Sequence, residues 1–533
     1  MTPSDRAPEK TEQRTPENHA ASLDRRTLLT FAGTIATTVA AGGAVWMETA
    51  AAQPSASGIV MMNAVDLSNA IKAKHVSCVE VMTAYLDHIG RVNPKVNAIV
   101  SLANPDDLLL QARERDAQLA RGEYLGWMHG FPQAIKELTN AKGFRTTQGS
   151  PILKDYIAST DAIHVERVKA AGAIIIGKTN VPEFGLGSHT YNPVFGATLN
   201  AYDQTKTAGG SSGGAAVSLA LRMLPVADGS DHGGSLRNPG AFNNVFGFRP
   251  SYGRVPAEAA DAFNAALSVN GPMARTVADL AMLLSVQAGF DARAPLSNRQ
   301  DPAQFTRSLQ RDFKGTRIAW LGDLGGYLPY EDGLLDLCKS ALKTFETLGC
   351  IVEEAKPDYP NERVWNNWTK LRAWQSGSPL LGFYNDPAKR ALLKPAAQFE
   401  VENWLKLTAA EILEASQVRT AWYQAVRRFF DRYEYFILPS AQVFPWDVQT
   451  PWPKEIAGRT MDTYYQWMNA QVQVTMSGSP SLNIPVGFNE RGLPMGMQIV
   501  GRHQAEFSCL QLAFAYDAAT SWVEKRRPAL LNV

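Results

Sequence analysis

Three short stretches combine residue types that can move protons and attack a carbonyl: Gly209-Gly-Ser-Ser-Gly-Gly214, Asp231-His-Gly-Gly-Ser-Leu-Arg237 and, upstream, Gly130-Phe-Pro-Gln-Ala-Ile-Lys136. A serine hydroxyl is a poor nucleophile until a base takes its proton, and where no histidine is placed for the task a neutral lysine can serve. Free lysine titrates near 10.4, so such a base must be desolvated until it loses its proton near neutrality. Phe131, Ala134, Ile135 and Leu138, the apolar neighbours of Lys136, would supply that environment. Taken singly, a serine in a Gly-rich turn is usually a turn residue, and a lysine after an apolar run usually snorkels to the surface. Three such stretches in one order carry more than each alone.

Two other patterns compete. Gly172-Ala-Ile-Ile-Ile-Gly-Lys-Thr179 fits the phosphate-loop expression letter for letter. Its central Ala-Ile-Ile-Ile is a β-prone apolar run, however, where a loop of phosphate-facing N–H groups is required, and a helix rather than a strand is expected before it. Gly209-Gly-Ser-Ser-Gly213 fits the G-x-S-x-G elbow of α/β-hydrolases, which would make an esterase. That elbow needs an apolar strand before it, whereas Asn200–Thr207 is polar, and His503 is the only histidine beyond residue 232 to complete its triad.

The three stretches together resemble the amidase signature family. The resemblance continues through Gly177-Lys-Thr-Asn-Val-Pro-Glu-Phe184, Phe246-Gly-Phe-Arg-Pro250, Gly253-Arg-Val-Pro256 and Gly492-Leu-Pro-Met-Gly-Met-Gln498, from about Val65 to Ala519. It implies a nucleophile at Ser235, a proton relay at Ser211 following a cis peptide bond, and a base at Lys136. It also implies an oxyanion hole from the backbone N–H groups of His232, Gly233, Gly234 and Ser235, with Ser212 and Asp231 orienting these groups behind them. No metal or organic cofactor is called for, and the substrate is a small amide. Two positions depart from the family pattern: Glu137 stands where aspartate is common, and His232 replaces a commoner Thr or apolar residue. The run from Ser235 to Gly240 with Asn243–Pro250 is further similar to bacterial amidases acting on linear or cyclic ω-amino acid amides. The resemblance also leaves open an amidotransferase-type subunit that passes ammonia to misacylated tRNA, and a non-enzymatic binding protein on the same scaffold.

The elements that must position these residues read as α/β. Apolar residues at helical spacing run from Val65 to about Val92, and a polar helix follows through 107–121. Short apolar runs such as 173–176 and 317–321 then alternate with helical stretches at 215–223 and 334–348, the pattern of helices packed on a sheet. Segments 481–488 and 493–500 flank Asn489-Glu-Arg-Gly492 and read as a hairpin. The fold expected from the resemblance is one large domain over residues 58–533, a central mixed β-sheet flanked by helices on both sides. Trp365, Trp368, Trp374, Trp404, Trp422, Trp446, Trp452 and Trp467 crowd one part of the chain. They suggest either an aromatic wall that favours hydrophobic or aryl-bearing amides, or helices that use tryptophan to fill the core.

Bulk properties narrow the partners. With 45% hydrophobic and 19% charged residues over 533 positions the chain can bury a large core, and its net charge of +1 argues against nucleic acid as a partner. Cys78, Cys338, Cys350 and Cys509 are widely spaced, which suggests neither a zinc site nor a disulfide framework. Residues 1–52 read as a twin-arginine-type signal peptide: Arg25-Arg26, an uncharged run from Thr27 to Met47, then Ala50-Ala51-Ala52. The protein is therefore expected to be exported, periplasmic or secreted, with a retained N-terminal anchor as the alternative and no stable membrane span in the mature form. The oligomeric state is left open, a homodimer included.

Overall fold

The computed structural model describes residues 55–532, and the expected leader over residues 1–52 lies outside the described residues. The helical periodicity that begins near Val65 forms two helices rather than one, Ala64–Lys72 and Cys78–Val92. Ser77 makes the break: its hydroxyl accepts from Glu80 N at 3.1 Å, while the Glu80 carboxylate accepts from Ser77 N at 2.8 Å, a reciprocal cap that starts a new helix.

A three-stranded sheet comes first, built from β1 (Ile99–Val100), β2 (Pro132–Lys136) and β3 (Ile174–Thr179) in the order β1-β3-β2, with β2 parallel to β3. Gly177-Lys178-Thr179 completes β3, and Lys178 is buried 3.4 Å from the buried carboxylate of Glu137, so these residues form no phosphate loop. Eight further strands make the large sheet: β4 (Ala227–Asp231), β5 (Phe246–Arg249), β6 (Val269–Ala274), β7 (Arg317–Trp320), β8 (Ile351–Glu354), β9 (Tyr435–Pro439), β10 (Ser481–Phe488) and β11 (Pro494–Gly501). Their spatial order is β8-β7-β9-β11-β10-β5-β6-β4. Pairing is parallel along β8-β7-β9 and antiparallel from β9 to β4, so the sheet is mixed.

Every residue of β11 and all of β10 but Phe488 are buried, which requires cover on both faces of the sheet. The helices Arg237–Phe242, Leu334–Thr347 and Glu506–Thr520 pack against these strands. The architecture is thus the expected α/β domain with a large mixed sheet flanked by helices. The two sheets meet where β2 lies against β4: Lys136 N donates to both oxygens of Asp228, at 3.2 and 3.3 Å. This seam brings Lys136, at the end of β2, beside the loop that leaves β4. The helix Asn361–Gly377 packs on Pro395–Trp404 and on Ala409–Phe429.

Candidate active site

Lys136 is fully buried, and its Nζ lies among four oxygens: Ser212 Oγ at 2.7 Å, Ser211 Oγ at 2.9 Å, Ser230 Oγ at 2.9 Å and the Ser230 carbonyl at 3.2 Å. Burial lowers its pKa from 10.5 to about 7, with Asp228 and Asp231 opposing the shift from nearby. An amine with one lone pair and two N–H groups suits these neighbours as well as an ammonium with three, because any of the three hydroxyls can turn its own O–H toward nitrogen. Lys136 can therefore take a proton from Ser211 without losing its other partners. The Gly210–Ser211 peptide bond is cis. Ser188 Oγ donates to the Gly210 carbonyl, and Gly210 N donates to Asn238 Oδ1 at 3.4 Å, so the turn is braced from two sides.

Asp231 ends β4 and organises the loop after it. Gly234 N donates to Asp231 Oδ1 at 2.9 Å and Leu236 N to Oδ2 at 3.1 Å, wrapping residues 232–236 around the carboxylate. Burial alone would raise the pKa of this carboxyl, but the Arg237 guanidinium, gripping both oxygens at 2.8 and 3.0 Å, and Arg249 behind it hold it far below the usual carboxylate range. Arg237 also reaches Gln471 O at 3.1 Å, Thr475 Oγ1 at 2.9 Å and Gln498 Oε1 at 2.6 Å. The distant motifs that carry the resemblance thus have physical work around this loop. Arg249 of Phe246–Pro250 pairs with Asp231, Gln498 of Gly492–Gln498 holds Arg237, and Lys178 of Gly177–Phe184 neutralises Glu137. Glu137 in turn accepts from Thr147 N at 2.7 Å and Thr147 Oγ1 at 2.8 Å, which employs both ends of the longer side chain at that position.

Ser235 is half-buried, makes no side-chain hydrogen bond among the described residues, and is kept beside the Ser211-Ser212 turn by Ser212 N donating to its carbonyl at 3.3 Å. The structure therefore joins Lys136, Ser211 and Ser212 directly and brings Ser235 alongside them by its backbone. No hydrogen bond of the described residues uses the N–H of His232, Gly233 or Ser235. Gly234 departs from the expectation for the oxyanion hole, since its N–H is committed to the buried Asp231 carboxylate. Its role is to turn the chain: φ is +116°, and a Cβ there would lie 2.8 Å from Gln471 Cγ.

Ser230 and Asp228 escape a reading of the motif alone. Alternation along β4 puts residues 228 and 230 on one face, where Asp228 holds the Lys136 backbone and Ser230 holds its amine. Of the crowded tryptophans, Trp368 reaches the 232–236 loop, its Cζ2 lying 3.3 Å from where a Cβ on Gly233 would be and its ring 6.2 Å from that of His232. Trp365 stacks behind it at 5.2 Å. Trp422 and Trp467 are core residues, with Nε1 donating to Gln473 O and Tyr464 O, and Trp446 packs edge-on against Trp467. Trp422, Trp446 and Trp467 therefore pack against the core, Trp368 alone of those named lies against the 232–236 loop, and on the other flank Gly185 stands between Leu138 and Ser211 Oγ.

A buried lysine, serine hydroxyls and a loop with unused N–H groups thus meet at one place on an α/β scaffold. The amidase family profile matches residues 80–510, and the chain belongs to that family, whose members hydrolyse amides. It is 31% identical to the acylamidase of Rhodococcus erythropolis over 470 residues, 87% of this chain and 97% of that protein. It is 32% identical to a glutamyl-tRNA(Gln) amidotransferase subunit of Thermosynechococcus vestitus over 486 residues, covering 86% and 98% of the two. Among solved structures, a bacterial aryl acylamidase of the amidase signature family superposes with a TM-score of 0.81 at 28% identity, covering 87% of this chain and 98% of that one.

Proposed function

We propose that this protein is a serine amidase in which Ser235 is the nucleophile, Ser211 the relay and Lys136 the base. The observation that carries the reading is a fully buried amine held 2.9 Å from the Ser211 hydroxyl beside the Ser235 loop, where burial lowers its pKa to about 7. Neutral Lys136 takes the Ser211 proton as Ser211 takes that of Ser235. The Ser235 oxygen bonds to the amide carbon, and the carbonyl electron pair moves onto oxygen, facing the N–H groups of His232, Gly233 and Ser235. The carbon–nitrogen bond breaks as Ser211 gives its proton to the leaving nitrogen and is reprotonated by Lys136. Water then attacks the acyl-enzyme, its proton passing through Ser211 to Lys136, and the acid leaves as Ser235 recovers its hydrogen. Ser212 and Ser230 hold the amine, and Asp231 holds the loop.

Trp368 and Leu138 beside the site, and the similarity to an acylamidase and an aryl acylamidase, support hydrophobic or aryl-bearing amides as substrates. The similarity to amidotransferase subunits favours a second reading, in which the same serines release ammonia for a partner enzyme. The test is the purified chain alone, with anilides and with glutamine. Anilide turnover together with fluorophosphonate labelling at Ser235 supports the amidase; turnover of glutamine only in the presence of partner proteins supports the other. Arg25-Arg26 before an uncharged run supports export in the folded state. Replacing both with lysine should retain the enzyme in the cytoplasm, and unchanged fractionation would count against that route.

A further inference from the structure

Three polar atoms around the catalytic loop lack a hydrogen-bond partner within the protein although they are shut away from solvent: Trp368 Nε1, His232 Nε2 and Gln471 Oε1. Trp368 and Gln471 are fully buried as whole residues. Leaving one such group unsatisfied costs roughly 1–3 kcal/mol, and these three, from the loop itself and from two helices, gather around the same few residues. They also flank consecutive residues. The indole edge that faces Gly233 is the one bearing Cζ2, two bonds from Nε1. The Gln471 side chain lies over Gly234, with its carboxamide carbon 3.1 Å from where a Cβ would be, and its nitrogen is already spent on the Ser440 carbonyl, which leaves the oxygen free. His232 completes the set, edge-on to Trp368 at 6.2 Å.

We propose that Trp368, Gln471 and His232 read the acyl half of the substrate, and that this half carries a second hydrogen-bonding unit, such as another amide, close to the scissile carbonyl. The inference rests on Ser235 and Ser211 acting as described above. The leaving nitrogen must lie next to Ser211, which protonates it and which has Leu138 and Gly185 for neighbours, so the acyl substituent points to the opposite flank. There a substrate carbonyl accepts from Trp368 N–H, a substrate N–H donates to Gln471 Oε1, and His232 Nε2 takes whichever role its ring proton leaves. Leu138 and the stacked Phe184 and Phe383, 6.0 Å apart, remain for an apolar amine half. The family reading asks only for an amide; the unpartnered atoms ask for a peptide-like acyl group.

The test compares two anilides of equal chain length, N-acetylglycine anilide and pentanoic anilide, which differ in the added amide. Their Kd values are measured by calorimetry on Ser235→Ala, so that binding is read apart from chemistry. The acetylglycyl compound should bind about tenfold or more tightly, and adding Trp368→Phe or Gln471→Met should each remove most of that preference. Equal affinities, binding of neither anilide, or a preference that survives both substitutions would overturn the proposal. Fluorophosphonate labelling of Ser235 in the wild type is independent of these outcomes, so a failed acyl preference is distinguishable from a failed catalytic assignment.

Discussion

Replacing Lys136 with methionine keeps most of the volume of a fully buried side chain while removing the only amine among Ser211, Ser212 and Ser230. In the native protein burial brings this amine from 10.5 to about 7. The change disfavours the ammonium by about 5 kcal/mol at 1.36 kcal/mol per pH unit. At pH 7 about half of such an amine is neutral, against roughly one part in three thousand for an unperturbed lysine, so desolvation is worth on the order of a thousandfold in available base. Wild-type kcat/KM on an anilide should rise about tenfold per pH unit below 7 and level off above it. Lys136→Met should be slower by roughly a hundredfold to ten-thousandfold and flat across that window. The same group sets a stability signature. Because its pKa is lower folded than unfolded, the unfolded chain binds the extra proton between pH 7 and 10.5, and stability rises with pH there. Urea unfolding should show wild type gaining about 1.4 kcal/mol per pH unit over the variant between pH 7.5 and 10. An inflection near 7 that persists in Lys136→Met, or a stability difference independent of pH, would refute the assignment of the base.

Ser235→Ala should abolish anilide turnover while the thermal midpoint stays within a few degrees, whereas Ser211→Ala should leave traces of activity because it removes one step of a relay; steady-state assays at high enzyme concentration separate the two. Ser230→Ala removes one Lys136 contact and should shift the kinetic pKa more than it lowers the plateau rate, as read from a pH profile. Asp231→Asn leaves the buried Arg237 and Arg249 guanidinium groups without their counter-charge and should destabilise by about 3–5 kcal/mol in urea melts. Gly234→Ala combines a left-handed backbone with a 2.8 Å clash at Gln471, so Ser235 should lose most of its fluorophosphonate reactivity even where circular dichroism shows a folded protein.

Much of this protein is legible in its sequence because local rules dominate where they apply. Apolar runs such as those in β3 and β7 become strands since only a sheet interior satisfies both their backbone and their side chains. Gly209–Gly214, Asp231–Arg237 and Lys136 by themselves point to a serine activated by a lysine, and it is their resemblance to the amidase signature family that implies amide chemistry. The sequence also carries the capping box at Ser77, which divides a helical periodicity that reads as continuous if apolar spacing alone is followed. Other features belong to the tertiary structure. That Lys136 titrates near 7 depends on the seam between two sheets, where β4 excludes water from the end of β2. That Gly234 gives its N–H to Asp231 depends on Arg237 and Arg249, which arrive from separate elements to keep that carboxylate charged. That Trp368 borders the 232–236 loop while Trp422 and Trp467 pack elsewhere in the core depends on where their separate elements come to rest, and composition carries no record of direction. Spacing along a chain reports which groups are present and on which face of an element they lie. Desolvation, charge pairing and unpartnered atoms arise only when elements far apart in sequence close on the same few ångströms, and those properties decide the chemistry.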